Sequence, residues 1–199
     1  MKLINKLIIR LFISLLFITF GFQSWTKADD IRDFEIEGMS IGDSLLNYMT
    51  ISQIKKNQID YGGKRKYYAT KYDGDLSIYD RIEIWLKSGD ENYRIYGITT
   101  GIYYEKNLSD CLAKKKIIVN DLEKLFENLK FTNNEKNHDA YNDSKQYTSY
   151  VYLGNSNDNI RVECIVFGKK TKKQHGFWDH LSVLSQSREI VQWSLDGYK

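Results

Sequence analysis

Between positions 78 and 87 the chain alternates with period two. Ile78, Asp80, Ile82, Ile84 and Leu86 occupy the even positions, and Tyr79, Arg81, Glu83, Trp85 and Lys87 the odd ones. That spacing sets an apolar row against a core and a mixed polar-aromatic row toward solvent, the pattern of an antiparallel sheet with one wet side. Two more strands flank it. Residues 65–72 are rich in β-formers and stop at Asp73-Gly74-Asp75, while Ser88-Gly89-Asp90 turns the chain into 93–104. Gly97 and Gly101 inside that last strand predict a bend or the close approach of a neighbour.

Elsewhere the period changes. Cys111, Ile118, Leu122, Leu125 and Leu129 fall seven, four, three and four apart, one apolar stripe on a helix of about 20 residues. Ser109 is the expected N-cap, with Asp110 in the first turn where the helix dipole favours it. Upstream, 34–39 reads as a short strand, Asp43 as the cap of a helix through Leu45, Leu46 and Met49, and Thr50 as the cap of a second helix over 51–57, with Ile51 and Ile54 inward. Downstream, 131–146 is polar and Asn-rich and reads as a long loop. Residues 147–153 and 160–167 read as a hairpin about 154–158, residues 181–185 as a last strand, and 189–195 as a short helix with Ile190 and Trp193 inward. The order predicts an α+β fold: an antiparallel sheet of six to seven strands with helices on one face. An α-β-β-β unit occurs twice in it, which suggests a duplication without a residue-level repeat.

The first 28 residues lie outside this pattern. Lys2, Lys6 and Arg10 precede an apolar run over 11–22, and Thr26 and Ala28 supply the small residues of a cleavage site before Asp29. Base, apolar run and small residues make a secretory signal peptide over 1–28, cut between Ala28 and Asp29. The run is too short and interrupted for a membrane span, which needs roughly 20 apolar residues, although retention as an anchor is the alternative. No cysteine stands directly after it, which argues against a lipoprotein. A single α+β domain over 29–199 is expected, exported to the periplasm and off the membrane after cleavage.

The leader also explains the charge. The chain has 29 bases and 26 acids; four bases (Lys2, Lys6, Arg10, Lys27) and no acid lie in the leader, so residues 29–199 carry 25 against 26, net −1. The electrostatic footprint of nucleic-acid binding is thereby absent, and no nucleic-acid partner is expected. Proline is missing altogether, and abundant Lys, Ile, Asn and Tyr with scarce Ala mark an AT-rich genome, so tyrosine richness by itself points to no binding surface.

Two cysteines remain. Cys111 is on the apolar stripe of the long helix, and Cys164 shares a strand face with Val162 and Val166, so both aim at one helix–sheet interface. In an exported protein a structural Cys111–Cys164 disulfide follows.

Candidate chemistry is sparse. His175, Asp179 and His180 form the densest group of functional residue types, but their spacing suits neither one helix face nor one strand face, and no zinc pattern accompanies them. His138, in the Asn-rich segment, is expected at the surface. Asp73 and Asp75 at a hairpin tip are explained by turn chemistry, with too few oxygen ligands nearby for calcium. No nucleophile elbow, S-x-x-K, P-loop or dinucleotide pattern occurs; no metal or cofactor is expected and no catalytic residue is assigned. The outward row of the 78–87 strand, with Tyr79, Arg81 and Trp85 beside Glu83, is the candidate binding face, a mix suited to stacking on a sugar or gripping a peptide, although cross-strand pairs use the same residues.

The segment Ile36-Glu-Gly-Met-Ser-Ile-Gly-Asp-Ser-Leu-Leu46 resembles one near the mature N-terminus of uncharacterised exported proteins of marine alphaproteobacteria with small AT-rich genomes. The two cysteines, the order of elements and the stretch from Trp178 to Leu181 are similar too. The resemblance implies export and no known activity. Gly38-Met-Ser also resembles the opening of small envelope proteins such as outer-membrane assembly lipoproteins, which implies a strand–turn–helix there. Together these features predict a non-catalytic periplasmic binding or envelope accessory module, its partner an envelope protein or a small molecule. A hydrolase using His175, Asp179 or His180 is the alternative, and a small-molecule receptor with a Tyr- and Trp-lined pocket the third possibility.

Overall fold

The computed structural model describes residues 30–60, 65–104, 107–126, 129–154 and 157–197. The leader, its cleavage site at Ala28 and Asp29, and the anchor alternative lie outside them. Eight strands form one antiparallel sheet: β1 (Gln58–Ile59), β2 (Tyr67–Lys71), β3 (Arg81–Lys87), β4 (Ile95–Tyr103), β5 (Thr132–Asn137), β6 (Lys145–Leu153), β7 (Asp158–Val166) and β8 (His180–Gln186). Their order is β1-β2-β3-β4-β8-β7-β6-β5, so two runs of four strands meet at β4 and β8 in mirror order. Helix α1 (Ile51–Lys56) precedes the first run and α2 (Leu108–Leu125) the second.

The alternation holds from Arg81 onward, but the strand begins three residues later than the pattern predicts, and Ile78, read as inward, is exposed. Ile82, Ile84 and Leu86 are buried on the inner face, in one core with Ile54 of α1, Cys111 and Leu122 of α2, and Ile160, Val162, Cys164, Leu181 and Val183 from β7 and β8. Thr70 of β2 ties α1 to this face by donating to the Ile54 carbonyl at 3.0 Å. Cys111 and Cys164 are joined as a disulfide between α2 and β7, their Cα atoms 6.1 Å apart.

The sheet has eight strands, not six to seven, because one expected strand is absent and two unexpected ones are present. Residues 34–39 do not form a strand: Ile36 and Met39 bridge each other across a tight turn, with Glu37 and Gly38 at positive φ. The polar segment over 131–146 is not a loop, because β5 pairs along its whole length with β6 although all six of its residues are exposed. β1 adds a second short edge.

Helices occupy both faces, not one. Helix α4 (Arg188–Leu195) packs Ile190 and Trp193 on Tyr67, Trp85 and Tyr96 of the outer face. Tyr67 donates to Glu189 at 2.8 Å, and Lys87 pairs with the same carboxylate at 3.1 Å. Two N-termini differ in detail and a third agrees. Asn107, not Ser109, caps α2 by accepting from the Asp110 N–H. Ser44, not Asp43, caps a 3-10 turn over Leu45–Asn47, because the Asp43 carboxylate is taken by the Ser40 N–H and the Tyr48 hydroxyl. Thr50 caps α1 as expected, reciprocally with Gln53, but of the two isoleucines Ile54 is buried and Ile51 exposed.

Candidate functional site on the outer sheet face

Of the candidate face, only Arg81 opens onto a free surface. Tyr79 precedes β3 and packs against the inner core, and Trp85 lies under Trp193 of α4, their rings 6.0 Å apart. Arg81 and Glu83, two apart on one strand, project together and pair at 2.8 Å. Glycine makes the room: Trp85 pairs with Gly97 and Arg81 with Gly101 on β4. A Cβ on Gly101 would come within 2.6 Å of Arg81 Nε and 2.9 Å of its Cγ. The expected close approach is thus a side chain laid across a neighbouring backbone.

From the other half of the sheet β8 brings His180, whose Nε2 stands 3.3 Å from Arg81 Nη2 although 99 positions separate the two residues. His180 Nδ1 lies 2.9 Å from the Trp178 carbonyl. A carbonyl only accepts, so Nδ1 carries the proton and Nε2 offers its lone pair to the guanidinium. Burial holds this imidazole below its ordinary value of 6.5, and the permanent charge of Arg81 pushes the same way. Arg81 Nε is shielded and has no hydrogen-bond partner among the described residues.

These groups floor a cleft of about 720 Å³ walled by Tyr72, Leu76, Tyr103, Phe167, Phe177 and Trp178. One rim follows directly on helix α3 (Lys169–His175), at Gly176, Phe177 and Trp178. Gly176 ends α3 at φ 68°, a left-handed cap that turns Phe177 and Trp178 out over the cleft. Aromatic walls around a few convergent polar groups, at that volume, are the ordinary composition of a small-molecule site.

The His175, Asp179 and His180 group does not assemble. Asp179 accepts from the Phe167 N–H and from Lys172 Nζ, both at 2.8 Å, and so fastens β7 to α3. His175 is exposed and stacks on Phe177 at 5.2 Å. His138 is half-buried rather than at the surface, 4.9 Å from the Tyr141 ring and 5.8 Å from Phe167. All three histidines of the chain therefore border one aromatic cluster, which no spacing in the sequence announces. No cluster of three or more metal-ligating side chains occurs among the described residues, and no described helix is long and apolar enough to cross a membrane.

No protein-family model matches the chain, no characterised protein matches it in sequence, and no solved structure matches it in fold.

Proposed function

We propose that this is an exported, non-catalytic binding module of the cell envelope that takes a hydroxyl-rich ring, of the sugar class, in the outer-face cleft. The observation that carries the proposal is the Arg81–Glu83 pair held beside His180 under aromatic walls. The guanidinium supplies donors and the carboxylate acceptors, side by side, which suits vicinal hydroxyls. Trp178 and Phe177 supply flat apolar faces for the ring. Glu83 balances the charge of Arg81, which favours a neutral ligand over a strong anion. Export is supported by the basic-apolar-small pattern of residues 1–28, and the disulfide fits an oxidising compartment. The hydrolase alternative is weakened because Asp179 is turned away from His180, and His180 Nε2 faces a cation instead of a nucleophile.

We also infer that the two halves descend from a duplication. The mirrored strand order and a helix before each run support it. So does Arg-x-Glu at 81–83 and again at 161–163, on the third strand of each run and on the same face.

A thermal-shift screen of sugars, amino acids and cell-wall fragments tests the function. A ligand at 100 times its dissociation constant adds about 2.7 kcal/mol, a rise of roughly 5–10 °C for a chain of this size. A sugar hit that disappears in Arg81→Ala and Trp178→Ala supports the proposal. A hit that survives both changes, or hits confined to other classes, refutes it.

A further inference from the structure

We propose that the tip formed by α3 and the turn after it rests on an anionic bilayer surface. The sequence KKTKKQHGFW, 169–178, divides in the fold into a buried side and a bare side. Thr171 is buried, its N–H and hydroxyl both held by Asp143. Lys172 turns back to Asp179. Lys169, Lys170 and Lys173 remain exposed, and no carboxylate among the described residues pairs with them. In the turn that follows α3, Trp178 is 55% and Phe177 36% exposed, whereas Trp85 and Trp193 pack on each other between β3 and α4.

Neither half of the tip explains the other. Lysines alone would be an ordinary solvated helix face, and aromatics alone would be cleft walls. Together they are the two signals that hold a protein at a membrane surface. Lysines are drawn to anionic headgroups within a Debye length, and tryptophan settles where headgroups meet acyl chains. The charge is local, because residues 29–199 carry net −1. At seven residues α3 is too short to insert, so the contact is peripheral. It departs from the expectation that the processed chain leaves the membrane altogether. Docked this way, the protein turns the Trp178 side of the cleft toward the headgroups. Trp178 belongs to both, but the three lysines do not line the cleft, so the lysine variant separates failure of this proposal from failure of the sugar-binding one.

The test is co-sedimentation of the full chain with phosphatidylglycerol/phosphatidylethanolamine vesicles and with phosphatidylcholine vesicles. It compares the wild type with K169Q/K170Q/K173Q and with Trp178→Ala, so that any contribution of residues 1–28 is common to all. Expected are binding to the anionic vesicles, a roughly hundredfold weaker partition for the triple variant, a blue shift of emission that is smaller in Trp178→Ala than in the wild type, and unchanged melting of both variants. Equal partition of the triple variant and wild type overturns the proposal. So does capture by an oligonucleotide or polyglutamate without vesicle binding, which would reassign the tip to a soluble acidic partner.

Discussion

The guanidinium of Arg81 lies across Gly101, the residue paired with it on the next strand, and reaches His180 on the strand beyond. Gly101 is thus the residue whose lack of a side chain lets the two halves of the sheet share one site. Gly101→Ala should displace Arg81 and cost about 1–3 kcal/mol, the usual penalty of overpacking. Chemical unfolding measures the loss. An unchanged stability together with an unchanged His180 ring resonance would show that Arg81 does not depend on the glycine.

His180 gives the fold a pH dependence of definite sign. Burial depresses its folded value, so between 6.5 and that lower value the unfolded chain binds the extra proton. Stability is therefore complete above pH 6.5, falls as the pH drops below it, and levels off once the folded imidazole also protonates. His138, likewise depressed by burial, adds to the same slope. Unfolding free energies from pH 7.5 to 5 should fall more steeply in the wild type than in His180→Gln. Parallel profiles would remove His180 from the account.

The Cys111–Cys164 bridge closes a loop with a separation of 53 residues. Its chain-entropy contribution is about 4 kcal/mol. Replacing both cysteines by serine should lower the unfolding free energy by about that amount and leave the sheet in place, read by denaturant titration beside far-ultraviolet circular dichroism. A loss below about 1 kcal/mol would assign the stability of the α2–β7 interface to packing alone.

Trp193 is the keystone of the small outer core, with its ring 5.2 Å from Tyr67 and 6.0 Å from Trp85. Trp193→Ala should cost roughly 3–5 kcal/mol and release α4. Hydrogen exchange would then rise along Arg188–Leu195 and not along α2. Uniform acceleration throughout the chain would mean that the two faces are one cooperative unit.

Periodicity was enough wherever one face of an element is buried. The inward row of β3 from Ile82 onward and the β6–β7 hairpin were legible, because burying apolar side chains imposes a period that survives in the sequence. The α2 stripe was legible only in part: Cys111 and Leu122 are buried, whereas Leu125 is exposed and Leu129 lies beyond the helix end. The disulfide followed from the same logic, since each cysteine sat on an inward row. β5 was illegible for the complementary reason: TNNEKN buries nothing and is a strand only because β6 offers it a row of backbone partners. Trp193 was read as inward, correctly, but a helical stripe does not say which side of a sheet it will meet.

The sequence by itself determined an antiparallel α+β chain, its main inward rows and its single cysteine pairing, because local patterns of burial are written residue by residue. The tertiary structure alone decided the site. Arg81 and His180 meet because β8 closes against β4, and Phe177 and Trp178 overhang them because Gly176 turns the chain there. Such proximity comes from strand order, a property of the assembled sheet that no spacing along the chain encodes.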